Sequence, residues 1–229
     1  MIDGTPFDWN NPEHKSNPYA NRDPRLAMSI LTNNVEFKDR TIEAWTGGRD
    51  GKGVIHATRT GYYIYKFIDP NLDLLQNRTS VHHWVIMRYA EILLSYAEAM
   101  NEAYGPTGNV GYRLNAVRAL NQVRNRVGVE MPAVPTAISK EELREKIRNE
   151  RRVELAFEDH RFWDVRRWMI APETLGAPLR GVEITKISDE EFEYKPIEVE
   201  KRTFEPKMYL YPIPQADLNT TGWVQNPLW

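Results

Sequence analysis

The chain has 229 residues, of which 41% are apolar, 27% charged and 11% aromatic, so it is long enough to bury a core. Its 30 Lys and Arg residues nearly balance 32 Asp and Glu residues, and the net charge of −2 gives no basic surplus for binding nucleic acid. The absence of cysteine excludes disulfides, thiol catalysis and thiolate metal sites.

The composition changes twice along the chain. Residues 1–84 are rich in Gly, Pro, Asn, Asp and aromatic residues, which predicts a loop-rich segment on the ligand side of the protein. Residues 85–170 have a helical pattern and predict a scaffold of helices. Residues 171–229 return to short extended runs and prolines, and we expect an extended segment that packs on the scaffold.

Two helices are predicted at the start of the scaffold. Over residues 85–103 the polar residues form one narrow stripe, which is typical of a helix surrounded on most sides by other helices, and Gly105 follows it. A second helix is predicted from Val110 to Gly128, with Val127 on its apolar face.

Two more helices are predicted after a short connection. Ser139 and Glu142 have the spacing of a capping box that opens the third helix, and a shorter helix is predicted over residues 161–168. Antiparallel helices joined by short loops resemble tetratricopeptide units. The predicted fold class is therefore mainly α, with tetratricopeptide-like helical hairpins, long irregular loops and a few short strands.

The apolar face of the third helix continues into carboxylates. Glu150 and Glu154 fall on that face, with Arg151 and Glu158 at its edge. Because buried carboxylates need cationic partners, we expect a structural ion network. Its candidate cations are the nearby arginines, which are Arg151, Arg152, Arg161, Arg166 and Arg167.

The same carboxylates raise two catalytic hypotheses. Glu150 and Glu154 have the residue types of the acid and nucleophile of a glycoside hydrolase, although adjacent turns of one helix are a poor platform for flanking a substrate. A carboxylate-bridged metal pair requires Glu-x-x-His, and Phe157 stands three residues before His160, so no metal site is expected.

Aromatic residues in the first segment are candidates for binding sugars. Trp9 and Trp45 lie in predicted loops, and Arg49 is a hydrogen-bond donor close to Trp45. Trp rings stack on the C–H faces of sugars while polar side chains bind the hydroxyl groups. We therefore name Trp9, Trp45 and Arg49 as candidate ligand-binding residues, without a cofactor.

Several motifs together resemble the SusD/RagB family of outer-membrane nutrient-uptake lipoproteins. The most specific stretch covers residues 148–158 and continues through residues 160–168. Other matching stretches run in family order, at residues 21–26, 60–67, 87–99, 120–124, 209–215 and 225–227. The resemblance covers the chain from about residue 17 to its last residue.

This resemblance implies one SusD-like C-terminal domain with a helical scaffold and irregular ligand-binding loops. It also implies a non-catalytic protein that binds glycans, or in some branches peptides. The implied partner is a SusC-like TonB-dependent transporter, and the implied location is the outer face of the outer membrane.

The sequence differs from the family in the membrane anchor, which family members carry at their N-terminus. Family members are longer, and they begin with a lipoprotein signal and a lipidated cysteine, neither of which is present here. We therefore expect this chain to be the C-terminal portion of a longer protein. In the whole protein, a preceding half would cover the first helix. A peptide-binding adaptor built on helical hairpins, independent of any membrane, remains an alternative function.

Overall fold

The computed structural model describes residues 1–229, of which 32% are helical and 11% lie in strands. The elements in chain order are α1 (Pro12–Ser16), α2 (Arg25–Ser29), β1 (Ile30–Leu31), β2 (Glu36–Phe37), β3 (Arg40–Thr41), β4 (Tyr63–Ile64), α3 (Tyr89–Tyr104), α4 (Ala116–Arg124), α5 (Lys140–Glu154), α6 (His160–Arg167), α7 (Ala171–Thr174), β5 (Leu179–Lys186), β6 (Phe192–Glu200), a 3₁₀ turn (Pro206–Tyr209) and α8 (Gln215–Thr221). No helix combines the length and the apolarity that crossing a bilayer requires.

The chain folds into two compact units. The first contains Met1–Arg161 and Gly181–Ile197, and the second contains Phe162–Arg180 and Glu198–Trp229. The loop-rich start of the chain thus belongs to the same unit as helices α3 to α5. The division at residues 84 and 170, which rests on composition, remains a prediction.

Helices α3, α4 and α5 enclose the helical core of the first unit. Helix α3 packs against both α4 and α5, because its Leu, Ala and Met side chains recur at helical spacing. The fully buried side chains of this core are Leu94, Ala97, Ala116, Val117, Ala119, Leu120, Val123, Leu143 and Ile147.

Local signals set the helix ends. The predicted capping box of α5 is present, since the Glu142 amide donates to Ser139 Oγ at 3.2 Å and the Ser139 amide donates to Glu142 Oε2 at 3.0 Å. Helix α3 ends at Tyr104, and its cap is Gly105, whose φ of 75° is easily adopted by a residue without Cβ. The fourth predicted helix is present as α6.

The prediction for the second helix was too long at both ends. Asn115 accepts a hydrogen bond from the Arg118 amide and so begins α4 at Ala116, well after Val110. The helix ends at Arg124, and Val127 is 92% exposed rather than part of an apolar face.

The prediction that α3 is surrounded on most sides is also wrong for this structure. Helices α4 and α5 cover two of its sides, whereas the Tyr89 side chain is 69% exposed and Ile92 is 46% exposed. The segment that leads into α3 also exposes Ile86 and Met87. An apolar face of α3 therefore lies open.

A second cluster, the aromatic core, lies elsewhere in the first unit. Two short antiparallel pairs, β1 with β4 and β2 with β3, lie in this part of the chain. Strands β1, β2, β4, β5 and β6 contribute side chains to the cluster. Its buried members are Leu31, Ile42, Ala44, Val182, Ile184 and Tyr194. Half-buried aromatic side chains pack against them, namely Trp9, Tyr19, Phe37, Trp45, Tyr62, Tyr63, Tyr65 and Phe192.

Arg166 connects two segments of the second unit. Its guanidinium donates hydrogen bonds to the carbonyl oxygen of Met208 at 2.5 Å and to that of Tyr209. The same group lies 5.0 Å from the ring centroid of Phe162 and 5.1 Å from that of Tyr211. One side chain thus joins α6 to the segment around the 3₁₀ turn.

Candidate functional site

Glu150 occupies the buried side of α5 and is bound by two arginines. Its Oε1 accepts from Arg25 Nη1 at 2.5 Å, and its Oε2 accepts from Arg124 Nη1 at 2.6 Å. Arg25 also binds both carboxylate oxygens of Asp23, at 3.0 and 2.7 Å. Burial alone would lower the pKa of Arg25, but its hydrogen bonds to Asp23 and Glu150 raise it overall.

Glu154, one turn further along α5, is shared by three arginines. Its Oε1 accepts from Arg88 at 2.8 Å, and its Oε2 accepts from Arg25 at 2.9 Å and from Arg126 at 3.2 Å. Its side chain has no exposed surface. Burial opposes ionisation, but the hydrogen bonds from Arg88 and Arg25 outweigh it and hold the pKa of Glu154 below its ordinary value.

Glu158 lies shortly after the C-terminal end of α5. The cations that bind its carboxylate also bind carbonyl oxygens at this end of the helix. Lys66 Nζ donates to Glu158 Oε1 at 2.5 Å and to the carbonyl oxygens of Glu154 and Ala156 at 3.2 and 3.0 Å. Arg88 binds both oxygens of Glu158 and also donates to the Glu154 carbonyl oxygen at 2.7 Å. Cations at this position complement the negative end of the helix dipole. Burial opposes ionisation of Glu158, but Arg88 and Lys66 lower its pKa overall.

The cations of this ion network come from distant parts of the chain. The sequence pointed to arginines that neighbour the carboxylates, whereas the structure supplies Arg25, Lys66, Arg88, Arg124 and Arg126. Arg151 is buried on α5 and donates to Ser95 Oγ at 3.0 Å. Sequence reasoning missed these five cations because no local pattern records which distant side chain a carboxylate meets.

The geometry of Glu150 and Glu154 disfavours glycoside hydrolysis. A hydrolase needs one carboxyl group that is protonated near neutral pH and a cleft between two carboxyl groups. Here every carboxylate oxygen of the two residues accepts hydrogen bonds from arginine, and the pKa of Glu154 is lowered. No group of three or more His, Asp or Glu side chains is arranged to hold a metal ion.

Trp45 lies at the edge of the aromatic core. The indole packs against Phe192 with ring centroids 5.4 Å apart, and Lys186 Nζ lies 5.1 Å from the Trp45 ring. The side chain is half-buried, so part of the ring is committed to the fold and part faces outward. The contacts with Lys186 and Phe192 fix the orientation of the indole.

The loop after Trp45 is held by a second, smaller set of ion pairs. Arg40 binds both carboxylate oxygens of Asp50 at 2.6 and 2.7 Å and lowers the pKa of Asp50. Arg49 binds Glu43 at 3.1 Å, and its side chain remains 63% exposed. The structure therefore places Arg49 at the surface, on the same loop as Trp45.

Trp9 packs against the aromatic core from the start of the chain. It meets Phe7 edge-on at a centroid separation of 4.9 Å, and Arg22 lies 4.4 Å above the Phe7 ring. The half-buried Trp9 and Trp45 thus belong to one cluster, although their role as ligand-binding residues remains a prediction.

The chain is similar in sequence to known proteins. The SusD family matches residues 1–229. SusD-like protein P2 of Formosa agariphila is 34% identical over 120 residues, which cover 50% of this chain and 22% of that protein.

Two solved structures from Bacteroides fragilis also resemble it. A SusD-like protein is 31% identical with a TM-score of 0.79, and the match covers 100% of this chain and 45% of that one. A SusD-like carbohydrate binding protein is 30% identical with a TM-score of 0.73, and the match covers 96% of this chain and 45% of that one. The chain thus spans less than half the length of these two proteins. Because the family match extends over residues 1–229, this chain belongs to the SusD family.

Proposed function

We propose that this chain is part of a non-catalytic protein that binds glycans for import. The observation that carries the proposal is the similarity to the SusD-like carbohydrate binding protein of Bacteroides fragilis over 96% of the chain. The buried, cation-bound state of Glu150 and Glu154 supports a role without catalysis, because neither carboxylate is placed to deliver a proton to a substrate.

The proposed glycan contact is the surface around Trp45 and Arg49, with Trp9 in the same aromatic cluster. Trp45 supplies a ring whose orientation is fixed by Phe192 and Lys186, so little rotamer freedom is lost when a sugar stacks on it. Arg49 supplies exposed hydrogen-bond donors on a loop that Glu43 and the Arg40–Asp50 pair hold in place.

The proposal also covers the partner and the location of the whole protein. It includes a SusC-like TonB-dependent transporter as partner and a position at the outer face of the outer membrane. It also includes tetratricopeptide-like pairing of α3 with α4, which the packing of these two helices supports. Copurification of the protein with a TonB-dependent barrel from native membranes tests the partner.

A glycan array first identifies oligosaccharides that bind the protein. Calorimetric titration with these oligosaccharides then tests the site. Trp45→Ala is expected to weaken binding by about 1–3 kcal/mol, the range for an aromatic anchor in a binding site. Trp223→Ala is the matched control, because Trp223 is 62% exposed in the second unit and is expected to leave the affinity unchanged. Equal affinities for the native protein and the Trp45 variant would refute the site, and failure of every glycan would refute the function.

A further inference from the structure

The loop of residues 46–60 is held to strand β5 at both of its ends. The Thr46 amide donates to the Ile184 carbonyl oxygen at 2.8 Å, and the Val182 amide donates to the Thr60 carbonyl oxygen at 2.9 Å. No helix or strand lies between these two points. Because both ends are fixed, the loop cannot swing away from β5 as a whole.

The middle of this loop forms a raised surface in the stretch that follows Trp45. Residues 52–56 are all exposed, and Ile55 is 83% exposed. Just before them, Tyr63 Oη donates to the Asp50 carbonyl oxygen at 2.7 Å and ties the loop to β4. An exposed loop that is held in place in this way offers a surface for contact with a ligand.

The cavity at the base of the loop is too small for a sugar. It lies between the loop and β5, with Thr46, Lys52 and Val182 in its lining, and it measures about 10 Å³. That volume holds about one water molecule. Pockets that enclose a small ligand measure about 300–1,000 Å³. The sugar at the end of a glycan chain is therefore not enclosed by this cavity.

Only part of the Trp45 ring is open to a ligand. Phe192 packs on it with ring centroids 5.4 Å apart, and Lys186 Nζ lies 5.1 Å from the ring. A Cβ atom at Gly48 would lie 2.9 Å from Trp45 Cε2, so the loop backbone covers one edge of the indole. The open part suits the face of one sugar. A sugar stacked there keeps its opposite face and its glycosidic bonds in solvent, so the contact does not require a free chain end.

One stacked sugar is too little for stable binding at this surface. Association costs translational and rotational freedom, and a single, partly covered ring offsets little of that cost. Further contacts are available from Arg49, which is 63% exposed on the same loop. Glu43 accepts from Arg49 Nε at 3.1 Å and from Nη2 at 3.3 Å, and a guanidinium has five N–H donors. The hydroxyl groups of neighbouring sugars match the donors that remain.

We propose that this surface binds the interior of a glycan chain, with several consecutive sugars laid across Trp45 and Arg49, and that it does not select a chain end. The inference rests on the proposed glycan-binding function and adds the class of ligand, which is a long glycan chain. The raised surface leaves the chain free to continue in both directions beyond the contact.

Calorimetric titration with oligosaccharides of graded length tests the dependence on length. The probes are the di-, tetra- and hexasaccharides of amylose, xylan, mannan and laminarin. In the series that binds, the hexasaccharide is expected to bind about tenfold more tightly than the disaccharide, because more of its sugars meet the surface. The hexasaccharide alditol, in which reduction has opened the ring at the reducing end, is expected to bind within about twofold of the parent.

Affinity gel electrophoresis extends the test to the non-reducing end. The gel contains the parent polysaccharide of the series that binds, in which chain ends are rare. Because a surface that binds the interior of a chain finds many sites on such a polymer, the protein is expected to migrate more slowly than in a gel without it.

Trp45→Ala assigns the length dependence to this surface. The change is expected to weaken the binding of the hexasaccharide and of its alditol by the same factor, about tenfold. Trp223→Ala, at an exposed position of the second unit, is the matched control and is expected to leave both affinities unchanged. Circular dichroism checks that both variants are folded.

The outcomes separate this inference from the proposed function. Equal affinities for the disaccharide and the hexasaccharide, loss of binding on reduction, or unchanged migration with the polysaccharide would each overturn the inference while glycan binding stands. A length dependence that Trp45→Ala leaves unaltered would overturn the assignment to this surface. If nothing binds, in these series or on the glycan array, the proposed function fails and the inference fails with it.

Discussion

Arg25 and Glu150 are 125 residues apart in the sequence, yet Arg25 Nη1 lies 2.5 Å from Glu150 Oε1. Both side chains are almost fully buried, at 4% and 1% exposure. The pair therefore attaches the start of the chain to α5 within the first unit. Because an unpaired charge in this position would be costly, the contact requires both segments to be folded together.

The first prediction concerns the stability that this network provides. Glu154→Gln removes a negative charge that Arg25, Arg88 and Arg126 share, and leaves those cations without adequate compensation. We expect it to lower the free energy of unfolding by about 3 kcal/mol or more, measured by urea denaturation. Glu145→Gln on the same helix is the control, because Glu145 is 70% exposed and its loss should cost less than about 1 kcal/mol. Equal effects of the two changes would contradict a structural role for Glu154.

The second prediction concerns the stability of the protein at acidic pH. The pKa values of Glu154 and Glu158 are lowered in the folded state, from ordinary values near 4.5. Their contribution is therefore fully present above about pH 4.5 and is lost as the pH falls through the folded pKa values, because protonation then favours the unfolded chain.

Urea unfolding at a series of pH values between about 7 and 3 measures this loss. The native chain should lose stability over the acidic part of the range, and the Glu154→Gln, Glu158→Gln double variant should lose less over the same interval. An identical pH dependence for the two proteins would show that other carboxylates control acid unfolding.

The third prediction concerns the loop that carries Arg49. A Cβ atom at Gly51 would overlap the carbonyl oxygen of Trp45, a backbone atom that has no freedom to move aside. Gly51→Ala is therefore expected to destabilise the protein by about 1–3 kcal/mol and to change the tryptophan emission spectrum. Lys52→Ala, at an exposed neighbouring position, is the control and should leave both the melting temperature and the spectrum unchanged.

The fourth prediction concerns the second unit. Arg166→Ala removes the donors to the Met208 and Tyr209 carbonyl oxygens together with the cation between Phe162 and Tyr211. The amides around the 3₁₀ turn should then exchange faster with deuterium, which peptide-level mass spectrometry records. Arg202→Ala, an exposed arginine of the same unit, should not change the exchange. Unaltered protection in the Arg166 variant would mean that other contacts hold this segment.

Local signals in the sequence determined several elements of the fold. Ser139 and Glu142 are three residues apart, and their reciprocal hydrogen bonds need nothing from the rest of the chain to begin α5. Gly105 ends α3 for an equally local reason. The start of α4 was mispredicted, because the cap supplied by Asn115 prevailed over an apolar periodicity that begins before the helix.

The candidate sugar-binding residues were chosen from residue type and predicted loop position. Those criteria place Trp45 and Arg49 on one surface loop, but they contain nothing about Phe192 and Lys186, which lie more than 140 residues further along the chain. The orientation of the indole depends on these distant partners, so the sequence cannot provide it.

The sequence by itself determined the family, the helical scaffold and the presence of carboxylates on a core-facing helix. These follow from residue order and from periods of a few residues, which are properties of the chain alone. Only the tertiary structure decided that Arg25, Arg88 and Arg126 meet Glu154, and that α3 keeps an open apolar face beside them. The physical reason is the separation of the contacting residues along the sequence. An ion pair between distant residues and the exposure of a helix face both depend on how whole segments pack, and no local pattern encodes that packing.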